Sequence, residues 1–346
     1  VTGSGAWDGG VRVTGGAAAD ITIGEGGSLS NTILSTEETA SVTDGTLSVT
    51  DLGTWTGNAV ASGASASLTT AVGGVWNGNL TAADGAAAAF STLSGGTWTG
   101  DASTEDAGSS MTITSSGTWN GSAAAASGSV MTIDVSGAWT GDAKASDSGT
   151  TLTITDSGVW NGSAAAESGA AVTVSDLNQW TGDATVSNAG RMDVALNGTW
   201  NGSASVTSNG IMTVDMNGTW NGNVSATKGS AVALNIKGTW NGAVVEASED
   251  STVDITDNTS SNTETKTETT ADTTESTSST HGVLRFARLL AVNTASNDLT
   301  DTSDTTEATG TGDAADAEEE STPAPGVSVN FEGDNVSWNL TGDSEL

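Results

Sequence analysis

The sequence predicts an all-β protein, a right-handed parallel β-helix built from Trp-containing rungs of about 20 residues. Three observations predict this fold: a tryptophan that returns about every 20 residues, apolar residues that alternate between those tryptophans, and a Gly-, Ser-, Thr- and Ala-rich composition without helical periodicity. The 346 residues include 46 glycines, 12 tryptophans and no cysteine. Without disulfides, stability must come from the backbone ladder and from core packing.

The tryptophan period defines the rung. Ten tryptophans follow one another at intervals of 20 to 22 residues, each within the phrase Gly-x-Trp-(Thr/Asn)-Gly, except that Asn178 once replaces the first glycine. They are Trp55, Trp76, Trp98, Trp119, Trp139, Trp160, Trp180, Trp200, Trp220 and Trp240. Trp7 begins an earlier, degenerate copy. One such turn cannot bury its apolar face alone, so the copies must stack at about 4.8 Å intervals.

Two alternating stretches fill each rung. Before each tryptophan, large apolar residues recur with period two, as in Met111/Ile113, which marks a strand with one buried face. From the tryptophan onward a second stretch carries small residues, as in Ala123/Ala125. We therefore predict a rung of two strands, with an inward column of stacked indoles. An outward aromatic stripe that binds glycans is the alternative.

The first and the third residue after the tryptophan both alternate from rung to rung. The next residue is Thr or Asn, and the third residue is Asp101, Asp142 or Asp183 on Thr rungs but Ser on the Asn rungs between them. Skipping a rung separates the aspartates by about 9.6 Å, beyond a Debye length of about 8 Å, which tempers their repulsion. A calcium-binding column is the sharper alternative, although the Gly-Gly-x-Gly-x-Asp pattern is missing.

Three regions follow from the periodicity: β-helix repeats over residues 1–257, an acidic Ser/Thr-rich insertion over 258–325, and the start of C-terminal rungs over 326–346. The insertion has too little apolar surface to offset its ordering entropy, so we predict disorder there. Its one apolar stretch, 283–292, is predicted to form a short helix or strand against the solenoid, or to serve as a partner or processing site.

Charge excludes some functions. With 42 acidic and 8 basic side chains the net charge is −34, which opposes binding to nucleic acid or to an anionic membrane, because both require basic patches. No segment approaches the roughly 18 apolar residues of a membrane span. We predict no cofactor and no metal.

Catalysis is not expected. The sole histidine, His281, lies in the insertion, away from any serine of the solenoid. Pectin-cleaving β-helices need clustered carboxylates and cations, whereas the cations of this repeat region are scattered. Thr-x-Thr pairs such as Thr112/Thr114 hint at an ice-binding face, but Asp193 and Ala233 interrupt that column.

The chain closes with a phrase that resembles a known motif. Trp338, Leu340, Gly342 and Ser344 match the Trp-x-(Leu/Met)-x-Gly-x-Ser pattern near the C-terminal end of pertactin-like autotransporter passengers. The resemblance implies export through the outer membrane of a Gram-negative cell and display at the cell surface, for adhesion or aggregation. The partner would be a host or neighbouring-cell ligand, protein or glycan, or a second copy.

Because no signal peptide or membrane barrel is present, the resemblance implies a fragment of a longer autotransporter. The alternative function is a glycan-binding or polysaccharide-cleaving β-helix.

Overall fold

The computed structural model describes residues 2–3, 5–30, 38–248, 250–260, 283–286, 327–333 and 337–338. These residues form a parallel β-helix whose strands recur at about 20-residue intervals, and every regular element among them is a β-strand. The predicted fold class is confirmed. In most rungs each side chain lies above its equivalent in the rung before, because neighbouring strands pair in parallel without offset. A few pairs, such as Ala171–Thr181 with Arg191–Asn201, contain a local register shift.

A complete rung contains three strands rather than the predicted two. We name them, in chain order, the apolar strand, the Trp strand and the small-residue strand. The apolar strands are Thr2–Gly3, Ala17–Ile23, Gly45–Asp51, Ala66–Val72, Ala87–Thr92, Ser110–Ser115, Val130–Val135, Thr151–Asp156, Ile211–Met216, Ala231–Ile236 and Thr252–Ser260. The Trp strands are Ala6–Asp8, Ser28–Ser30, Thr54–Thr56, Val75–Asn77, Thr97–Thr99, Thr118–Asn120, Ala138–Thr140, Val159–Asn161, Thr219–Asn221 and Thr239–Asn241.

In two rungs the apolar and Trp strands are continuous, as Ala171–Thr181 and Arg191–Asn201. The small-residue strands pair only with one another and form a separate 12-stranded sheet. They are Val11–Val13, Glu38–Val42, Asn58–Ser62, Leu80–Ala83, Ala102–Thr104, Ala123–Ala125, Ala143–Ser146, Ala164–Glu167, Ala184–Ser187, Ala204–Thr207, Val224–Thr227 and Val244–Ala247.

The prediction of two strands was wrong because the glycine two residues after each tryptophan turns the chain. At Gly78 a Cβ atom would lie 2.1 Å from the carbonyl oxygen of Gly57, and at Gly162 it would lie 1.9 Å from that of Gly141. Only glycine allows the backbones of successive rungs to approach so closely. The stretch that reads as one strand is therefore divided into a Trp strand and a small-residue strand.

The core is a continuous column between the sheets. Large side chains of the apolar strands, such as Ile133 and Ile154, face the small residues of the opposite sheet and the indoles beside them, and all are buried. At about 25 cal/mol per Å² of apolar surface, such burial is the main stabilising term for each rung. Because the small-residue strand carries alanine, space remains in the core for the indole.

Four described strands follow the last small-residue strand. The strand Thr252–Ser260 runs into the predicted insertion, and Val327–Gly333 pairs with it in parallel. Val283–Phe286 pairs antiparallel with Val327–Gly333. Ser337–Trp338 lies in register with Thr239 and Trp240. The remainder of 258–346, including the rest of the 283–292 stretch, lies outside the described residues, so the predicted disorder stays a prediction.

Candidate functional surfaces

The tryptophans form an interior ladder. All ten indoles from Trp55 to Trp240 are 0–1% exposed. Successive rings stack with centroids 4.4 to 5.6 Å apart and interplanar angles of 1 to 20°. Aromatic pairs of this geometry contribute about 0.5–1.5 kcal/mol each beyond area burial. Because the indoles face inward, they do not form an outward aromatic stripe.

Each indole from Trp76 onward also satisfies its polar atom. Its Nε1–H donates to the carbonyl oxygen of the glycine two residues after the tryptophan of the preceding rung, at 2.7 to 3.0 Å. The phrase Trp-(Thr/Asn)-Gly is thus a connected unit, since the glycine supplies the acceptor for the next indole. In the rung before Trp55, Leu29 occupies the tryptophan position. The indole N–H of Trp55 finds no acceptor among the described residues.

A polar side-chain ladder runs along the third position after each tryptophan from Trp55 to Trp220. Asp101 accepts the backbone N–H of Ser122 at 2.8 Å, and the Ser122 hydroxyl accepts that of Asp142 at 3.3 Å. The same pattern continues through Ser163 and Asp183. Each side chain satisfies a backbone donor at the corner where the small-residue strand begins. The Asp/Ser beat therefore has a hydrogen-bonding role besides the predicted spacing of charge.

The outward side of the Trp strands forms a second regular surface, which we call the Trp-strand face. It consists of the residues immediately before and after each of the ten core tryptophans: Thr54, Thr56, Val75, Asn77, Thr97, Thr99, Thr118, Asn120, Ala138, Thr140, Val159, Asn161, Gln179, Thr181, Thr199, Asn201, Thr219, Asn221, Thr239 and Asn241. All are exposed or half-exposed. The face contains ten threonines, six asparagines and no charged residue.

Charge is concentrated on the other two faces. The small-residue face and its turns carry Asp101, Asp142 and Asp183 together with the Lys144–Glu167 ion pair, whose atoms are 2.8 Å apart. The outward positions of the apolar strands carry the pair Arg191–Asp193 at 3.0 Å and several single aspartates. The repeat thus places one neutral face beside two charged ones.

Two buried carboxylates were not anticipated from the sequence. Asp51 and Asp156 occupy the last inward position of their apolar strands, and both are fully buried. One oxygen of each accepts the backbone N–H two residues on, from Gly53 or Gly158, at 2.9 Å, while the other finds no partner among the described residues. Desolvation by burial raises the pKa of each carboxyl to about 6, against the lowering effect of the glycine N–H.

Both carboxylates could have been found from their spacing. Asp51 continues the period-two series of Leu47 and Val49. In the same inward column, the hydroxyls of Thr92 and Ser115 are hydrogen-bonded to each other at 2.6 Å. A polar residue therefore recurs at this corner of the core.

The other predicted site residues lie at the C-terminal end. Trp338 pairs in register with Trp240, whereas Leu340, Gly342 and Ser344, like His281, lie outside the described residues. In the part of the chain that the structure describes, no cluster of three or more His, Cys, Asp or Glu side chains could hold a metal ion. No helix among those residues has the length and apolarity to cross a membrane.

These features define a β-solenoid with a stacked tryptophan core and one neutral outer face. Comparison with family models, with curated proteins and with solved structures finds no match to this chain.

Proposed function

We propose that the chain is a rigid structural and adhesive rod, displayed on the cell surface as part of an autotransporter passenger. The observation that carries the proposal is the unbroken ladder of rungs, in which one surface pattern is repeated along the axis. Such a rod contacts a large target through many equal, weak sites at once, which multiplies affinity without a deep pocket.

The charge distribution supports the same function. The acidic faces keep the rod soluble and separate from other copies. The Trp-strand face can approach a large surface without desolvating carboxylates. The partner is a host or neighbouring-cell surface, protein or glycan.

Attachment of cells tests this function. The chain would be expressed on Gram-negative cells by fusion to an outer-membrane barrel, and attachment to host cells, glycan-coated plates and inert solids would be counted against cells that display the barrel alone. We expect increased attachment. Equal attachment of both populations to every surface would contradict the proposal.

Display in the source organism is a separate question. Protease treatment of intact cells should remove the chain, while a cytoplasmic marker stays whole. Protection of the chain in intact cells, with digestion only after lysis, would rule out surface display.

A further inference from the structure

The Trp-strand face is unusual for so acidic a chain. Over ten rungs its twenty outward residues carry no charge, although the whole sequence has a net charge of −34. The adjoining faces hold charges at positions that are equally exposed, such as Asp134 and Lys144. Solubility alone would favour charge on every face, so the neutral pattern indicates a surface selected for contact.

The face is also periodic in two directions. Along the axis, equivalent residues are in register, and the indoles directly beneath them repeat at 4.4 to 5.6 Å. Across the face, the residues before and after the tryptophan are two strand positions apart, about 6.8 Å. The result is two parallel rows of hydroxyl, methyl and amide groups on a lattice.

The stacked core keeps this lattice rigid. Beneath the middle rungs, the rings of Trp119, Trp139 and Trp160 are 1 to 3° from parallel. At the C-terminal rungs the outward amides are joined as well, since Asn221 donates to Asn201 and Asn241 donates to Asn221, each at 2.8 Å. Side chains held in this way lose little entropy when they bind an ordered surface.

We propose that the Trp-strand face binds ice. This inference goes beyond the proposed function: it rests on the rod being adhesive, and it names a solid other than the cell-surface partner. Ice is uncharged, and its oxygen rows repeat in two perpendicular directions at spacings close to the rung rise and to twice the rise of one strand residue. A threonine methyl leaves its neighbouring water ordered while the hydroxyl hydrogen-bonds to it, whereas a charged group would hold water in its own hydration shell.

The Thr-x-Thr pairs that hint at an ice-binding face in the sequence lie on a different face. Thr112 and Thr114 lie on the apolar strand, and Thr173 is followed in register by Asp193. The Trp-strand face has no charged residue between Trp55 and Trp240, although Val75, Ala138, Val159 and Gln179 replace threonine in its first row. A neutral polysaccharide is a less suitable ligand, because sugar rings are bound largely by exposed aromatic rings and these indoles are buried.

Freezing-point measurements on the purified chain test the proposal. Thermal hysteresis, the gap between melting and freezing temperatures of a single ice crystal, would be measured for the whole chain and for two double variants. In Thr140→Lys/Thr181→Lys both lysines lie on the Trp-strand face. In the matched control, Ala124→Lys/Thr185→Lys, they lie on the small-residue face, in the column that already contains Lys144. All four positions are exposed.

We expect the unmodified chain and the control to show thermal hysteresis that rises with protein concentration, and the Trp-strand variant to lose most of it. Near-ultraviolet circular dichroism of the indole stack must be unchanged in both variants. If the Trp-strand variant unfolds, Thr140→Val/Thr181→Val replaces it, and loss of the gap is again expected because the hydroxyls are removed.

Three results would overturn the inference: no hysteresis at any concentration, equal loss in variant and control, or binding to crystalline cellulose or chitin without activity on ice. Cells that attach to host or glycan surfaces while the chain is inactive on ice would refute this inference and leave the adhesive function standing. Cells that attach to none of these surfaces, displaying a chain that is also inactive on ice, would contradict both.

Discussion

Replacing Trp139 with alanine tests the indole ladder at its centre. The side chain is fully buried, stacks on Trp119 at 4.6 Å and on Trp160 at 4.7 Å, and donates to the Gly121 carbonyl at 2.8 Å. Truncation of a buried Trp costs about 3–5 kcal/mol. The lost hydrogen bond adds about 1 kcal/mol. We therefore expect the free energy of unfolding to fall by about 5 kcal/mol.

The same change at Trp55 is the internal comparison. Trp55 has one indole neighbour, and its N–H finds no acceptor among the described residues. With one stack and one hydrogen bond fewer to lose, Trp55→Ala should cost about 1.5–2.5 kcal/mol less than Trp139→Ala. Both are buried to the same degree, so surface burial alone predicts no difference.

Hydrogen exchange resolved by peptide is the suitable assay, because a solenoid unfolds in local units and one global transition is not assured. Protection should fall most in the rungs of Trp119, Trp139 and Trp160, with a smaller fall beyond them. Denaturation midpoints supply the total. Equal costs for Trp55→Ala and Trp139→Ala, or a loss below about 1 kcal/mol at Trp139, would refute the stacking argument.

Three further predictions concern the buried acid, the glycine column and the indole spectrum. Asp156 has a folded pKa of about 6 against 3.8 for the free side chain, so its contribution to stability is most unfavourable above pH 6 and improves as pH falls toward 4. Asp156→Asn should therefore stabilise the chain at pH 7 by up to about 3 kcal/mol and remove this pH dependence, as thermal unfolding at several pH values would show. A strain-free Gly→Ala change stabilises by about 0.4–1 kcal/mol. Gly162→Ala instead places a Cβ 1.9 Å from the Gly141 carbonyl oxygen, so it should destabilise by more than about 1 kcal/mol, measured by chemical denaturation. Parallel indoles 4.4 to 5.6 Å apart should give a paired positive and negative band in circular dichroism that weakens when Trp139 is replaced by leucine.

Two of the three have a matched control elsewhere in the chain. Asp183 lies in an exposed site, and Asp183→Asn keeps the side-chain oxygen that accepts the Ser203 N–H. This change should leave stability nearly unchanged. An equal effect of Asp183→Asn and Asp156→Asn would contradict the burial argument. Gly95 has open space around its Cβ position but a positive φ of 87°, so Gly95→Ala should cost less than Gly162→Ala. A spectrum that survives the loss of Trp139 would mean that the indoles are not coupled.

The rung was predictable because stacking gives equivalent positions the same packing environment in every rung. Trp119 and Trp139 occupy one column, so their spacing appears directly in the sequence. The division of the rung at Gly121 was not predictable in the same way, because it depends on the distance to the Gly100 carbonyl in another rung. Period-two alternation is the same on both sides of that glycine.

The neutral face and the buried acids were missed for a different reason. The alternation of Thr and Asn, at positions such as Thr140 and Asn161, is visible in the sequence, where it coincides with the alternation of charge three residues after the tryptophan. Only the register shows that the residues on both sides of each Trp form one uncharged surface. Asp51 was overlooked because an inward position was assumed to be apolar, although Gly53 offers its N–H to the carboxylate.

The indole-to-glycine bonds have a mechanical consequence. They run between rungs, like the backbone ladder, so tension along the axis acts on all rung interfaces in series and the weakest interface opens first. Detachment of one rung would release about 20 residues, or roughly 66 Å of extended chain, for each 4.8 Å of rod lost. A tethered rod of this kind would lengthen by regular increments under flow and dissipate the pull before its most distant contacts were strained.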